Sequence, residues 1–186
     1  VIRHPYEVFA SAYRYHLVCS EEWCTCPGYT NPELTAKPEF HPHFEAGRSY
    51  QEVLRGLPTS QGLTLEIWRS RGNVLEMVDW DYSNSRFLEC RFEDFSTDFD
   101  GTMLRIFTHL DLLDLGEADI LRIAATHDLS RRSPKALVED PHVTNNTQRR
   151  RTFDDVFKEE HFRLVRELFP EDLLSRLGYE LASDEA

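Results

Sequence analysis

The chain has 186 residues, of which 40% are hydrophobic and 12% aromatic, and this composition is typical of one folded domain rather than a disordered segment. Its formal net charge is −12, from 33 acidic and 21 basic residues, and such a surface repels nucleic acids and anionic lipids at long range. No apolar run approaches the roughly 18 residues that a membrane-spanning helix needs. We therefore expect no nucleic-acid partner and no membrane segment, and the local basic clusters of this acidic chain suit a small anionic ligand better than a polymer.

The N-terminal segment combines a cation with a helix start. The first two residues predict a strand that ends at Arg3, and a helix is predicted over 5–18 with Pro5 in its first turn. Ser11 follows Arg3 by eight positions and lies on that helix. Helix-start amides, a guanidinium and a hydroxyl together suit a phosphate group, whereas a salt-bridging arginine at a surface corner is the alternative.

This segment resembles the 3′-phosphate-binding segment of sulfotransferases that use 3′-phosphoadenosine 5′-phosphosulfate (PAPS). The matching positions are Arg3, Pro5, Val8, Ser11 and Tyr13. The resemblance implies that Arg3 and Ser11 hold the 3′-phosphate of the donor nucleotide.

The middle of the chain would carry the acceptor side. Residues 19–60 are predicted to be irregular except for a helix over 48–56, and a loop of this length is typical of a functional segment. A long helix is predicted over 61–80. Single histidines, among them His16 and His161, are expected on helix surfaces or in loops. Nothing in these segments identifies the acceptor.

Three cysteines lie close together in the irregular segment. Cys19, Cys24 and Cys26 could be free thiols, could form a disulfide between Cys19 and one of the other two, or could bind zinc with His41 or His43. The spacing differs from the two-residue clamp of common zinc sites, so free thiols are the default and no metal is expected.

A second strand is predicted over 86–92, where apolar and polar residues alternate. Residues 90–112 resemble the sulfotransferase segment in which a strand ends in an aromatic residue followed by Glu-Asp. Phe92 occupies the position of a tyrosine that lies close to the adenine, and an aromatic ring there can stack on a purine. A core role for Phe92 is the alternative. For Glu93 and Asp94 we expect capping or surface roles rather than catalysis.

The rest of the chain is predicted to be helical around one polar loop. Helices are predicted over about 100–113 and 117–126, followed by a loop over 129–152. A helix is predicted to begin near Asp154, and a last short helix to begin at Pro170.

The C-terminal block resembles the end of the sulfotransferase domain. Phe153 stands where tryptophan is usual, Phe157 matches a later phenylalanine, and residues 177–179 match a Leu-Gly-Tyr ending in which Gly178 is expected to be a C-cap. Straight spacing places 146–148 at the family's phosphate-binding triplet. An arginine cluster slightly later either closes over the 3′-phosphate or is solvated, and it consists of Arg149, Arg150 and Arg151.

The order of strands and helices predicts an α/β domain. The resemblance implies a P-loop-NTPase-like three-layer α/β/α sulfotransferase fold with a mainly parallel sheet, of which only the C-terminal part is present. We expect a single sulfotransferase domain over 1–181 and a frayed acidic tail over 182–186. Two strands are too few for such a sheet, so we expect sequence to be missing upstream of Val1, and the resemblance implies that the 5′-phosphosulfate loop and the catalytic base lie there.

The resemblance implies transfer of a sulfuryl group from PAPS to a hydroxyl or amine acceptor. This chain would supply the 3′-phosphate and adenosine side of the donor site, while the catalytic residues stay unknown and the isolated chain is expected to be inactive. The alternatives are another P-loop-like nucleotide enzyme, such as a small kinase, and a non-catalytic interaction domain. We expect a cytoplasmic protein, or a Golgi-lumen protein if its parent is membrane-anchored. The oligomeric state stays open.

Overall fold

The computed structural model describes residues 1–29, 31–139 and 152–180 and is predominantly helical. Within these residues the β-pairing consists of one isolated parallel bridge, between Ile2 and Arg91. The expected α/β fold, with its P-loop-like three-layer arrangement and mainly parallel sheet, is therefore wrong.

Helices make up most of the described residues. In chain order the α-helices are α1 (Pro5–His16), α2 (Glu22–Thr25), α3 (Pro32–Thr35), α4 (His41–Glu45), α5 (Tyr50–Gly56), α6 (Thr59–Asp79), α7 (Phe92–Thr97), α8 (Phe99–His109), α9 (Glu117–Ala124), α10 (Pro134–Glu139), α11 (Glu159–Leu168) and α12 (Leu173–Arg176). Short 3₁₀ turns are Leu113–Leu115, Leu129–Arg131 and Phe153–Asp155.

The predicted strand over 86–92 is absent because its backbone is engaged in turns and in a helix start. The side chain of Asn84 accepts from the backbone N–H of Arg86 at 3.1 Å, and its carbonyl accepts from the N–H of Phe87 at 3.0 Å. At the other end, Phe92 is the first residue of α7. The apolar–polar alternation is real, but a strand also needs a partner along its length, and one bridge does not supply it.

The chain divides into two compact units. The smaller unit comprises Val1–Arg3 and Trp80–Asp140, and the larger unit comprises His4–Asp79 and Pro141–Ala186. The expected acidic tail, 182–186, lies outside the described residues.

In the larger unit, α1 packs against α6 along a buried apolar face. Phe9 and Ala10 of α1 and Leu63 and Ile67 of α6 are fully buried, as helical spacing of apolar residues predicts. The close approach depends on Gly62, because a Cβ atom there would lie 2.8 Å from Cε2 of Tyr13. The predicted long helix over 61–80 is thus confirmed as α6, and its exposed Gly72 does not interrupt it.

Several other helix predictions are confirmed and others are wrong in their boundaries. The helices predicted over 48–56 and 117–126 correspond to α5 and α9. The segment 19–60 contains three further short helices, one of which, α3, is capped by the side chain of Asn31. The helix predicted over about 100–113 corresponds to α8, which ends earlier than predicted, at His109, and Asp98 separates it from the preceding short helix α7.

The C-terminal helix begins later than expected. The segment Phe153–Asp155 forms a 3₁₀ turn, and α11 begins at Glu159 rather than near Asp154. The final helix, α12, begins at Leu173, and Gly178 beyond it has a φ of 70°, which suits the expected C-cap glycine. None of the helices in the described part of the chain is long and apolar enough to cross a membrane.

Candidate functional site

The parallel bridge in the smaller unit brings Arg3 to Phe92. The N–H of Ile2 donates to the carbonyl of Cys90 at 2.8 Å, and the N–H of Phe92 donates to the carbonyl of Ile2 at 2.7 Å. The next residue, Arg3, therefore lies beside Phe92, and its guanidinium carbon is 4.2 Å from the ring centroid. The Phe92 side chain is 43% exposed, so one partner of this pair reaches solvent.

This arrangement, the Arg3–Phe92 pair, combines a guanidinium with an exposed aromatic ring. Stacking engages the face of a guanidinium, whereas its N–H donors lie in its plane and can contact a phosphate. An exposed phenyl ring offers a surface on which a purine can stack. A nucleotide phosphate and its base are thus both within the chemistry of these two side chains.

The other predicted donor-site residues are placed elsewhere or are not described. Ser11 lies on α1, in the larger unit, and is half-buried. Arg149, Arg150 and Arg151 lie outside the described residues. At the start of α1, Pro5 has no N–H, and the N–H of Tyr6 donates to Nδ1 of His4 at 3.3 Å.

Residues of the N-terminal segment and of the C-terminal block meet in an aromatic cluster of the larger unit. The ring of His4 stacks on Phe153, with centroids 5.3 Å apart and planes 6° from parallel. Tyr6 packs against Phe157 at 5.2 Å, and Tyr179 contacts His4 edge-on at 4.9 Å. Residues that are far apart in the sequence, near its start and near its end, are therefore neighbours in the larger unit.

Two polar contacts fix the backbone at this cluster. Arg14, which is buried, donates to the carbonyl of Thr152 at 2.6 Å and lies 3.4 Å from the carboxylate of Asp155. Glu7 accepts from the N–H of Phe153 at 2.9 Å. Both contacts join α1 to the residues that follow the arginine cluster in sequence.

A buried polar cluster, missed from the sequence, lies between α1, α5 and α6. Glu66 is fully buried, and its Oε1 lies 2.8 Å from Nδ1 of His16 and accepts from the hydroxyl of Tyr50 at 2.6 Å. Its Oε2 accepts from Nε of Arg69 at 2.9 Å. The expectation that His16 lies on a helix surface is wrong, since it is 5% exposed and faces this carboxylate.

The cluster holds Glu66 as a carboxylate. Burial alone would raise the pKa of Glu66, but the hydrogen bond from His16 and the charge of Arg69 outweigh it and lower the pKa below its usual value. Burial and the adjacent carboxylate raise the pKa of Tyr50, which therefore stays a hydrogen-bond donor. An ionised carboxylate can only accept, so Nδ1 of His16 carries a proton.

One signal in the sequence could have revealed the cluster. Glu66 lies between Leu65 and Ile67, three positions after Leu63 on the face of α6 that is apolar, and Arg69 follows at helical spacing. A carboxylate on the apolar side of a helix, with an arginine one turn later, indicates a paired buried charge.

A Ser–His–Glu constellation in the larger unit has a structural role. Oγ of Ser60 donates to the carboxylate of Glu160 and lies 3.3 Å from Nε2 of His161. Nδ1 of His161 accepts from the N–H of Lys158 at 2.9 Å, so the ring proton is on Nε2, which lies 3.0 Å from the carbonyl of Ser60. A ring with its proton on Nε2 cannot deprotonate Ser60. His161 is also fully buried, against the surface position expected.

The cysteines do not form the metal site that was one alternative. Within residues 1–29, 31–139 and 152–180, no three His, Cys, Asp or Glu side chains are arranged to hold a metal ion. Cys19 and Cys24 are buried thiols and Cys26 is an exposed one.

Comparisons with known proteins add no family to these observations. The chain matches no protein-family model, and neither the curated proteins nor the solved structures provide a match.

Proposed function

We propose that the Arg3–Phe92 pair is part of a nucleotide site and that the chain supplies the 3′-phosphate and adenosine side of a PAPS-dependent sulfotransferase. The proposed reaction is transfer of a sulfuryl group from PAPS to a hydroxyl or amine of a small molecule or glycan. The observation that carries the proposal is the 4.2 Å contact between the Arg3 guanidinium and the half-exposed Phe92 ring.

The chemistry of PAPS matches this pair on two counts. Its 3′-phosphate is a compact dianion that a guanidinium binds with charge-assisted hydrogen bonds. Its adenine is a flat aromatic group that stacks on a phenyl ring. Because the two groups belong to one nucleotide, a site for it needs a cation and an aromatic side chain near each other.

The meeting of the motifs in the larger unit also supports the proposal. His4 follows Arg3 directly, and its ring packs on Phe153, which follows the arginine cluster of the third motif by two residues. In the resemblance these two segments of the sequence belong to one donor site, and the contact between His4 and Phe153 joins them within the larger unit.

The role assigned to these residues is positioning. Sulfuryl transfer, like phosphoryl transfer, needs in-line geometry, charge stabilisation and a base for the acceptor proton. A residue that holds the 3′-phosphate fixes the donor without touching the reacting sulfur. The catalytic groups therefore stay unassigned within this chain.

Calorimetric titration with adenosine 3′,5′-bisphosphate tests the proposal. We expect saturable binding that is tighter than binding of ATP or of adenosine 5′-phosphate, which lack the 3′-phosphate. Arg3→Ala should weaken binding by roughly 10- to 150-fold, the range expected for one charge-assisted hydrogen bond of about 1.5–3 kcal/mol.

Arg122→Ala is the matched control. Arg122 lies in the same unit, its side chain is 74% exposed, and its ion-pair partner is Asp119. Binding by this variant should equal that of the parent chain. Tighter binding of ATP would favour the kinase alternative, and absence of any nucleotide binding would favour the interaction domain.

A further inference from the structure

Two thiols of the larger unit meet at the end of α1. Sγ of Cys19 and Sγ of Cys24 both donate to the carbonyl of His16, at 3.8 and 3.7 Å. Both are buried, Cys24 completely. Because both sulfur atoms contact the same oxygen atom, they lie in one small buried region, and side-chain rotation together with local movement of α2 can bring them to the disulfide bond length of about 2.05 Å.

The carbonyl that both thiols contact does not depend on them. Nε2 of Gln51 donates to the carbonyl of His16 at 3.0 Å and to that of Cys19 at 2.8 Å. Loss of the two S–H donors on oxidation therefore leaves the carbonyl of His16 with a strong hydrogen bond. The free-energy cost of leaving a buried carbonyl without a hydrogen bond therefore does not oppose oxidation of these two thiols.

Access to the pair requires opening of a very short helix. Cys24 lies on α2, which has four residues, and the remaining residues of that helix, Glu22, Trp23 and Thr25, are exposed. A helix of one turn has little stability of its own and opens locally more readily than the core. Small reagents can thus reach the thiols without global unfolding.

We propose that Cys19 and Cys24 form a reversible modification site, in which a low-molecular-weight disulfide such as glutathione disulfide converts the two thiols into an intramolecular disulfide. One thiol loses its proton to solvent and attacks a sulfur of glutathione disulfide, which releases one glutathione thiolate. The second thiol loses its proton and displaces the other glutathione from the mixed disulfide. Two cysteines are oxidised and one glutathione disulfide is reduced to two glutathione molecules.

Formation of the disulfide would hold α2 in its closed position. A disulfide ties this helix to Cys19, three residues after the end of α1 at His16. In this region Trp23 packs edge-on against His16 at 5.0 Å and lies 5.7 Å from Tyr50. Burial and the neighbouring Cys19 thiol raise the pKa of Cys24, so the exchange is slow while α2 is closed. The oxidised form should resist opening of α2.

Differential alkylation with mass spectrometry tests the site on the intact chain. The reduced protein is incubated with increasing ratios of glutathione disulfide to glutathione under native conditions, quenched with an alkylating reagent and digested. We expect Cys19 and Cys24 to lose alkylation together, a peptide linking them to appear, and reducing agent to restore both thiols. The thermal midpoint of the oxidised protein should lie above that of the reduced protein.

Cys26→Ser is the matched control, because Cys26 lies in the same segment but is exposed. This variant should form the disulfide as the parent does, whereas Cys19→Ser should not. A disulfide that includes Cys26, a stable mixed disulfide at Cys26 alone, or no disulfide at any glutathione ratio would overturn the proposal. Mapping of the unmutated chain decides between these outcomes even where a variant folds poorly.

Discussion

Nδ1 of His16 lies 2.8 Å from Oε1 of Glu66, and this buried hydrogen bond joins residues fifty positions apart. It connects the end of α1 to the middle of α6, while Tyr50 reaches the same oxygen from α5. Three helices are thereby held at one carboxylate. Since Arg69 compensates the charge, the cluster fixes the packing of these helices without leaving a buried ion unpaired.

Glu66→Gln should destabilise the fold by about 3 kcal/mol, because removal of one partner from a buried ion pair leaves the other charge uncompensated. The amide also places a donor where His16 and Arg69 already donate. Urea unfolding followed by circular dichroism measures the change. Glu76→Gln on the exposed face of α6 is the control and should change stability by less than about 0.5 kcal/mol. Equal stabilities of the two variants would contradict the role assigned to Glu66.

The same carboxylate should make stability depend on pH in the acid range. The pKa of Glu66 is lower in the folded state than its ordinary value of 4.5, so the folded state holds the proton less tightly than the unfolded state does. The resulting stabilisation is fully present above pH 4.5 and is lost as pH falls through the lower folded-state pKa.

Unfolding free energies of the parent chain and of Glu66→Gln, measured across this range, isolate that contribution from those of other carboxylates. The difference between the two proteins should shrink as pH falls. A difference that stays constant from neutral to acid pH would show that Glu66 does not carry the effect.

Two glycines of α6 should respond oppositely to alanine. Gly62→Ala places a Cβ 2.8 Å from Cε2 of Tyr13, so α1 and α6 must separate, and we expect a loss of about 1–3 kcal/mol. Gly72→Ala meets no atom within 4 Å, and its helix propensity should add about 0.5–1 kcal/mol. Thermal unfolding of both variants measures these two changes in stability. Stabilisation of both would mean that α1 and α6 do not pack as closely as described.

Helices with a strong apolar face could be predicted from the sequence, whereas the backbone pairing of segments that are distant in the sequence could not. The spacing of Leu63, Ile67 and Val74 is enough to predict α6, because a helix satisfies its backbone internally and needs only one buried face. Alternation over 86–92 was misleading, because a strand depends on a partner that local sequence does not specify. Short helices such as α3 depend on single caps and have too few residues for a periodic signal.

The candidate site shows the same division. Arg3 and Phe92 were each predicted from the sequence as site residues. Their contact depends on the bridge between Ile2 and Arg91, which are far apart in the sequence. Glu66 was not singled out, because its role exists only once His16 and Tyr50 converge on it. The sequence indicated which residue types suit a nucleotide site, but it did not show which side chains the fold brings into contact.

Phe92→Ala should weaken binding of adenosine 3′,5′-bisphosphate by about 5- to 150-fold, which corresponds to about 1–3 kcal/mol of base stacking. Phe92→Tyr keeps the ring and adds a hydroxyl, so its affinity should equal or exceed that of the parent chain. Phe87→Ala is the control, since Phe87 is a 51% exposed aromatic residue of the same unit that packs on Trp80 instead. Calorimetric titration of all three variants measures the effect.

The adenine and phosphate contributions can be separated by the ligand. Inorganic phosphate and ribose 3-phosphate carry no base, so Phe92→Ala should change their binding little while Arg3→Ala weakens it. Adenosine reverses this pattern, because it offers the stacking surface without the charge. If Phe92→Ala weakened binding of all these ligands alike, the ring would act by supporting the Arg3 guanidinium, from which it is 4.2 Å away, rather than by stacking on a base.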